Sequence, residues 1–218
     1  MSDGLSIKSQ VDSNLLDKVE DECYQILYQQ RLRYNERWYS SALFAKGNTV
    51  LRLAGLIVSM IGLLLSVFYL VYPSSCPKYY FAEIYLLIFI GAGVLFYYMP
   101  RIQARVISRL RKAGAKGCQR MARRYVARAR KVVPYEGEYT IKGDLITYFR
   151  GRIVNGEKKW QQVWSRRMQG YAIIANHVTL IFRKPTSLQP RMLILYESNE
   201  TMESVFQGLG ISYQMLTL

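Results

Sequence analysis

The sequence predicts a membrane α+β protein. A two-helix transmembrane hairpin is flanked by an amphipathic N-terminal helix and a basic juxtamembrane helix, and a small antiparallel β domain closed by a helix follows. Three observations carry this reading. Leu53 to Tyr72 runs 20 residues without a charge, and at 1.5 Å per residue such a helix covers about 30 Å, the thickness of a bilayer's hydrocarbon core. A second apolar run, Tyr79 to Met99, follows a six-residue break in which Pro73 and Pro77 turn the chain. After Pro134 the apolar period changes from that of a helix to that of strands. A buried hairpin of a soluble protein is the alternative, but uncharged runs of this length are rare outside membranes.

The predicted segments are residues 1–48, 49–99, 100–134 and 135–218. In the first, residues 1–10 are polar and read as loose. From Ser13 onward Leu15, Leu16, Val19, Cys23, Ile26 and Leu27 recur at helical spacing on one face. Asp17, Glu20, Asp21 and Glu22 come early and Arg31, Arg33 and Arg37 late, an order that complements the helix dipole. Tyr34, Trp38 and Tyr39 fall where the chain approaches headgroups. Gly47-Asn48 is expected to end or bend the helix. This arm is either a packing surface, for the C-terminal domain or a second copy, or an amphipathic spacer.

Within the hairpin, Gly55 and Ser59, then Gly62 and Ser66, are each four apart on one helix face. Small residues at that spacing let two backbones approach closely. Gly91, Ala92 and Gly93 are the expected counterpart, with packing inside the hairpin as the main use and dimerisation as the other. Glu83 lies about one turn from the outer end beside Tyr79, Tyr80 and Tyr85, which suits an interfacial carboxylate rather than ion handling. The first apolar run starts too late and is too long for a cleavable signal, so it is read as a retained anchor. Cys23, Cys76 and Cys118 show no metal-ligand spacing. Cys76 would face an oxidising compartment, where it could link two copies or stay inert.

The net charge of +15 is unevenly spread: residues 100–134 hold 12 Lys/Arg and no Asp/Glu. Lys46 and Arg52 precede the first span, Arg101 and Arg105 follow the second, and only Lys78 lies between. By the positive-inside rule both termini are cytoplasmic and the Pro73–Lys78 tip is on the far side. Arg101, Arg105, Arg109, Lys112, Lys116, Arg120, Arg124, Arg128 and Lys131 form a basic stripe beside an apolar one of Ile102, Val106, Leu110, Ala113, Met121 and Tyr125. Gly114 and Gly117 are expected to allow a bend. The expected partner is an anionic phospholipid leaflet. Nucleic acid is disfavoured because no base-reading motif accompanies the bases. Twelve cations also exceed what the positive-inside rule alone requires.

Past Pro134, Glu138–Lys142 and Leu145–Arg150 flank Gly143-Asp144 as a hairpin, and Asn155-Gly156 marks a turn before Lys158–Trp164. Gly170–Ala175, Val178–Phe182 and Met192–Glu197 complete six strands. A helix over 199–207 follows, with Ser198 as its expected N-cap. Arg150, Arg152, Lys158 and Lys159 gather around one turn and could meet anionic headgroups, though a solvated charged hairpin is the simpler account. Trp160 and Trp164, four apart, are expected on one strand face, with at least one in the core.

Trp160-Gln-Gln-Val-Trp164, Tyr171-Ala-Ile-Ile, Val178-Thr-Leu-Ile-Phe and the helix Met202-Glu-Ser-Val-Phe206 give residues 135–210 a pattern that resembles the C-terminal domain of the YcxB-like family of small bacterial membrane proteins. The resemblance implies a cytoplasmic pleckstrin-homology-like (PH-like) sheet, two preceding spans in the bacterial inner membrane, and no catalytic residues. The loop Lys184–Arg191 departs from the family's compact turn, and the N-terminal arm has no counterpart there.

Catalysis needs convergent acids, bases or nucleophiles. The single histidine, His177, falls in a turn, and no nucleophile set, metal cluster or phosphate-cradling loop is present. The sequence therefore points away from an enzyme, a cofactor or a metal. It points to a membrane-anchored interaction protein or scaffold, with a protein partner or homo-oligomer besides lipid. The alternative is a subunit of an oligomeric channel or membrane-disrupting effector assembled through the hairpin.

Overall fold

The computed structural model describes residues 5–39, 42–72, 82–154 and 157–216. The Pro73–Lys78 tip with Cys76, Tyr79, Tyr80 and the Asn155-Gly156 turn lie outside the described residues. The elements are β1 (Leu5–Val11), α1 (Ser13–Tyr39), α2 (Ala42–Val71), α3 (Ala82–Arg130), β2 (Tyr135–Lys142), β3 (Leu145–Val154), β4 (Glu157–Arg167), β5 (Tyr171–Ile174), β6 (Val178–Phe182), β7 (Pro190–Leu195), α4 (Glu200–Gly208) and β8 (Ser212–Met215). They form two compact units. One holds the chain up to Tyr34 and again from Gly114 onward, and the other holds Asn35–Ala113.

The first unit contains two four-stranded sheets, β1-β2-β3-β4 and β7-β6-β5-β8. The second of these is covered on both faces. Ile173, Val178, Leu180, Phe182 and Leu195 pack against Leu16, Val19, Cys23, Ile26 and Leu27 of α1 and Cys118, Ala122 and Val126 of α3. Ala172, Ile174, Ile181 and Ile194 pack against Ile7, Tyr139 and Ile146 of the other sheet and Met202 and Phe206 of α4. This explains β6, VTLIF, which is buried at all of its positions. A strand enclosed on both faces has no solvent side to mark with polar residues.

The arm at the N-terminus therefore belongs to the core. All six residues of its predicted stripe are buried. Asp12 caps α1, its Oδ1 accepting the Leu15 N–H at 2.7 Å. Against the expectation of a loose stretch over residues 1–10, the chain from Leu5 onward pairs with β2 in antiparallel register, from Leu5↔Ile141 to Val11↔Tyr135. Ile7, Ser9 and Val11 point inward while Lys8 and Gln10 are exposed, a period of two that overrides the polar composition.

Two further differences have local causes. A bulge at Val163 breaks the β3–β4 register, so Trp164 opposes Tyr148 while Trp160 opposes Gly151. The tryptophans consequently lie on opposite faces. Trp164 packs on the Tyr139–Tyr148 pair, and Trp160 is exposed. An eighth strand, unforeseen, runs parallel to β5 from Tyr171↔Ser212 to Ile174↔Met215. It follows a Schellman ending of α4: Ile211 N–H bonds Phe206 O, Gly210 N–H bonds Gln207 O, and Gly210 has φ +64°. The N-cap position of α4 is Asn199, not Ser198.

In the second unit, α2 runs straight through Gly47-Asn48, where a break was expected. The Asn48 and Gln103 amides exchange hydrogen bonds of 2.7 and 2.8 Å, which ties α2 to α3 at that level. The second apolar run and the basic segment, expected as separate helices, are one helix with Pro100 inside it. Membrane helices tolerate such prolines. Two helices are long and apolar enough to cross a membrane. Val58, Leu64, Leu65, Leu87, Ile88 and Leu95 are exposed on them.

Candidate functional site

The small-residue face of α2 is occupied by aromatic rings of α3. A methyl group added to Gly55 would lie 2.5 Å from Phe96, and one added to Gly62 would lie 2.4 Å from Phe89. Gly93 faces Ser59, whereas Gly91, expected as part of the counterpart, faces open space. The glycines of α2 thus serve as holes for phenylalanines seven apart, which is two helical turns. Ser59 and Ser66 are buried, and their hydroxyls donate to the carbonyls of Gly55 and Gly62 in their own helix, each at 2.8 Å. Glu83 is exposed in the first turn of α3, where the helix dipole favours a carboxylate.

Along α3 the bases sort into two sets. Arg123 reaches Glu20 at 3.2 Å, and Arg130 reaches Asp17 at 2.5 Å and Glu20 at 2.8 Å, all on α1. Arg101, Arg105, Arg109, Lys112, Lys116, Arg120, Arg124 and Arg128 are exposed, and none has an ion pair among the described residues. Arg101 lies over the Tyr98 ring at 5.4 Å. At 3.6 residues per turn, Arg101 to Lys116 fall within about a quarter of the helix circumference. Arg120, Arg124 and Arg128 continue the row around the helix, so its two ends are about half a turn apart.

The buried face of α3 is Gly114, Cys118, Ala122 and Val126, spaced by four. It differs from the apolar stripe expected from the sequence, of which Ile102, Val106, Leu110 and Tyr125 remain exposed. Gly114 and Gly117 lie within α3 without ending it. A methyl group on Gly114 would lie 2.8 Å from Arg31 Nε, so the glycine makes room for an arginine of α1 to lie across α3. The neighbouring Cys118 thiol is pushed up by burial, with the Arg31 charge pulling it back down. Cys23, deeper in the core, is raised further, chiefly by burial.

The second predicted basic cluster is divided by the sheet. Register pairs position 152 with Lys159, and Ile153 with Lys158, so positions 152 and 159 share the face opposite Lys158. Lys158 forms an ion pair with Glu136 and lies over the Trp160 ring. Arg150 is half-buried over the Tyr135 ring, and its Nε has no partner. Of the three whose side chains are described, Lys159 is the exposed cation with no ion pair among the described residues. His177 is held by Glu22 of α1, one carboxylate oxygen accepting its backbone N–H at 2.8 Å and the other lying 2.6 Å from Nδ1. This contact joins α1 to the β5–β6 turn. Among the described residues no group of three His, Cys, Asp or Glu side chains is arranged to hold a metal.

Comparison of the chain with protein-family models, with curated proteins and with solved structures found no match.

Proposed function

We propose that this chain is a membrane-anchored interaction protein of the bacterial cytoplasmic membrane. In this reading α2 and the apolar half of α3 cross the bilayer. The unpaired bases of α3 meet the anionic inner leaflet, and the sheet domain, read as PH-like in the manner of the YcxB-like family, receives a protein partner. Each base near such a surface contributes about 1 kcal/mol. The observation that carries the proposal is the shared core of the first unit. Residues 5–34 and 114–216 pack together, so the two flanks of the hairpin belong on one side of whatever it spans. Two crossings satisfy this, and the concentration of positive charge assigns that side to the cytoplasm.

The alternative, an oligomeric channel built through the Gly55–Ser66 face, is disfavoured because Phe89 and Phe96 already fill that face. The test of the leaflet role uses the full chain in nanodiscs with Arg124→Cys carrying a polarity-sensitive dye. The dye emission is expected to shift to the blue when phosphatidylglycerol is added to phosphatidylcholine, and to shift back in high salt. Identical spectra in neutral and anionic discs would remove the leaflet role. A carboxy-terminal reporter active outside the cytoplasm would remove the topology.

A further inference from the structure

A different set of arginines lines a cleft where the edges of the two sheets meet. β4 ends its sheet and β7 ends the other. Arg166 opposes Ile146 of β3 and lies on the Trp164 side of β4, with its side chain exposed, as is that of Arg191. Its Nη1 donates to the Arg191 carbonyl at 3.0 Å, and its guanidinium lies 5.8 Å from the Trp164 ring. Arg166, Arg191 and Met192 line two adjoining cavities of about 340 Å³ each. That volume lies within the range of small-ligand sites, about 300–1,000 Å³. Gln169 adds an amide, and Arg167 stands at the rim.

The charge in this cleft is not internally balanced. Neither Arg166 nor Arg191 has a carboxylate partner among the described residues. Arg167 has Asp144, but at 3.8 Å with both side chains more than half exposed. Cations on edge strands also protect sheet edges from pairing with other chains. Edge protection accounts for each cation singly. It does not account for the same two guanidiniums, neither with a carboxylate partner, lining both cavities, the Gln169 amide in one and the Trp164 ring in the other. Guanidinium forks match the oxygens of a phosphate group, and two of them suit its double charge.

We infer that the Arg166–Arg191 cleft binds a phosphate group, borne either by a lipid headgroup or by a small soluble molecule. Tyr125 of α3 lines one of the cavities, but none of the row's bases lines either, so the site is tested apart from leaflet contact by that helix. The test titrates the full chain in maltoside micelles with inorganic pyrophosphate, with dihexanoyl phosphatidic acid, and with dihexanoyl phosphatidylcholine as the neutral control, reading tryptophan emission. A saturable change with pyrophosphate and phosphatidic acid, and none with phosphatidylcholine, is expected. Response to phosphatidic acid alone assigns the headgroup, and response to pyrophosphate alone assigns a soluble phosphate. Arg166→Gln/Arg191→Gln should weaken binding about tenfold or more, since hydrogen bonds to charged groups are lost. Lys8→Gln, exposed on the opposite edge of the first sheet, should leave it within about twofold. Should the double variant unfold, Arg191→Gln alone, whose guanidinium makes no described hydrogen bond, should still weaken binding with an unchanged melting temperature. No response to either phosphate, or equal binding by the cleft variants and the native chain, would overturn the inference. Equal loss in the Lys8→Gln variant would overturn it as well.

Discussion

Truncating Leu16 or Ile26 to alanine tests whether α1 is structural or a spacer. Both side chains are essentially inaccessible, Leu16 at 0% and Ile26 at 1% exposure, and both sit in the cluster that joins α1 to the second sheet. A buried Leu or Ile cut to Ala costs about 2–5 kcal/mol, the spread reflecting how far neighbours can collapse into the space. Ten residues along one helix is about 15 Å, beyond the distance at which substitutions couple. The double variant should therefore lose about 4–10 kcal/mol. That is comparable with the whole stability of an ordinary domain, about 5–15 kcal/mol. The assay is guanidinium unfolding of the full chain carrying Trp38→Phe in mild detergent, followed by the emission of Trp160 and Trp164 on β4. With a slope of about 4 kcal/mol per molar, each single variant should move the midpoint down by about 0.5–1.2 M, and the double variant by about the sum. Native midpoints in both single variants would refute the reasoning, because an arm that leaves the core unperturbed is only a spacer.

Other outcomes follow from single positions. Gly170 has φ +125°, and a methyl group there would lie 2.0 Å from the Phe182 carbonyl oxygen. Gly170→Ala should lower stability by about 2 kcal/mol or more, seen as a reduced melting temperature. Gly62→Leu puts a side chain where the Phe89 ring lies. It should separate the hairpin helices, read as lost cross-linking between cysteines placed on α2 and α3, whereas the same change at the open Gly91 should not. Cys23 and Cys118 are both buried with raised thiol pKa values, so in a Cys76→Ser background iodoacetamide should label neither until denaturant is added. Burial raises the phenols of Tyr139, Tyr148 and Tyr196. Their contribution to stability is therefore complete below about pH 10, the unfolded tyrosine value, and is lost as pH rises beyond it. Alkaline titration should show their phenolate absorbance appearing together with unfolding, rather than ahead of it.

The long-period features were legible in the sequence. The apolar stripe of α1 and the two apolar runs follow from spacing alone. What failed was whatever depended on a distant partner. Residues 5–11 look polar until β2 is known to lie beside them. Gly114 looks like a weak point until Arg31 is seen across it. The spacing of Trp160 and Trp164 implies one face only if the strand is regular, and the bulge at Val163 depends on register with β3. The cleft arginines at 166 and 191 are 25 positions apart in the chain and meet only because two sheet edges converge, so no local motif marks them. Glu22 reads in the sequence as one more early acid of α1, and its bond to His177 has no sequence signature.

The order of elements along the chain has a consequence for biosynthesis. β1 and α1 leave the ribosome first, yet the strands and helix they must pack against emerge only after the entire hairpin has been made. For that interval the N-terminal segment waits as an exposed amphipathic helix carrying an unpaired strand. The α2–α3 segment is therefore made before the domain can be completed, and a nascent chain stalled before Tyr135 should be accessible to protease throughout residues 5–34.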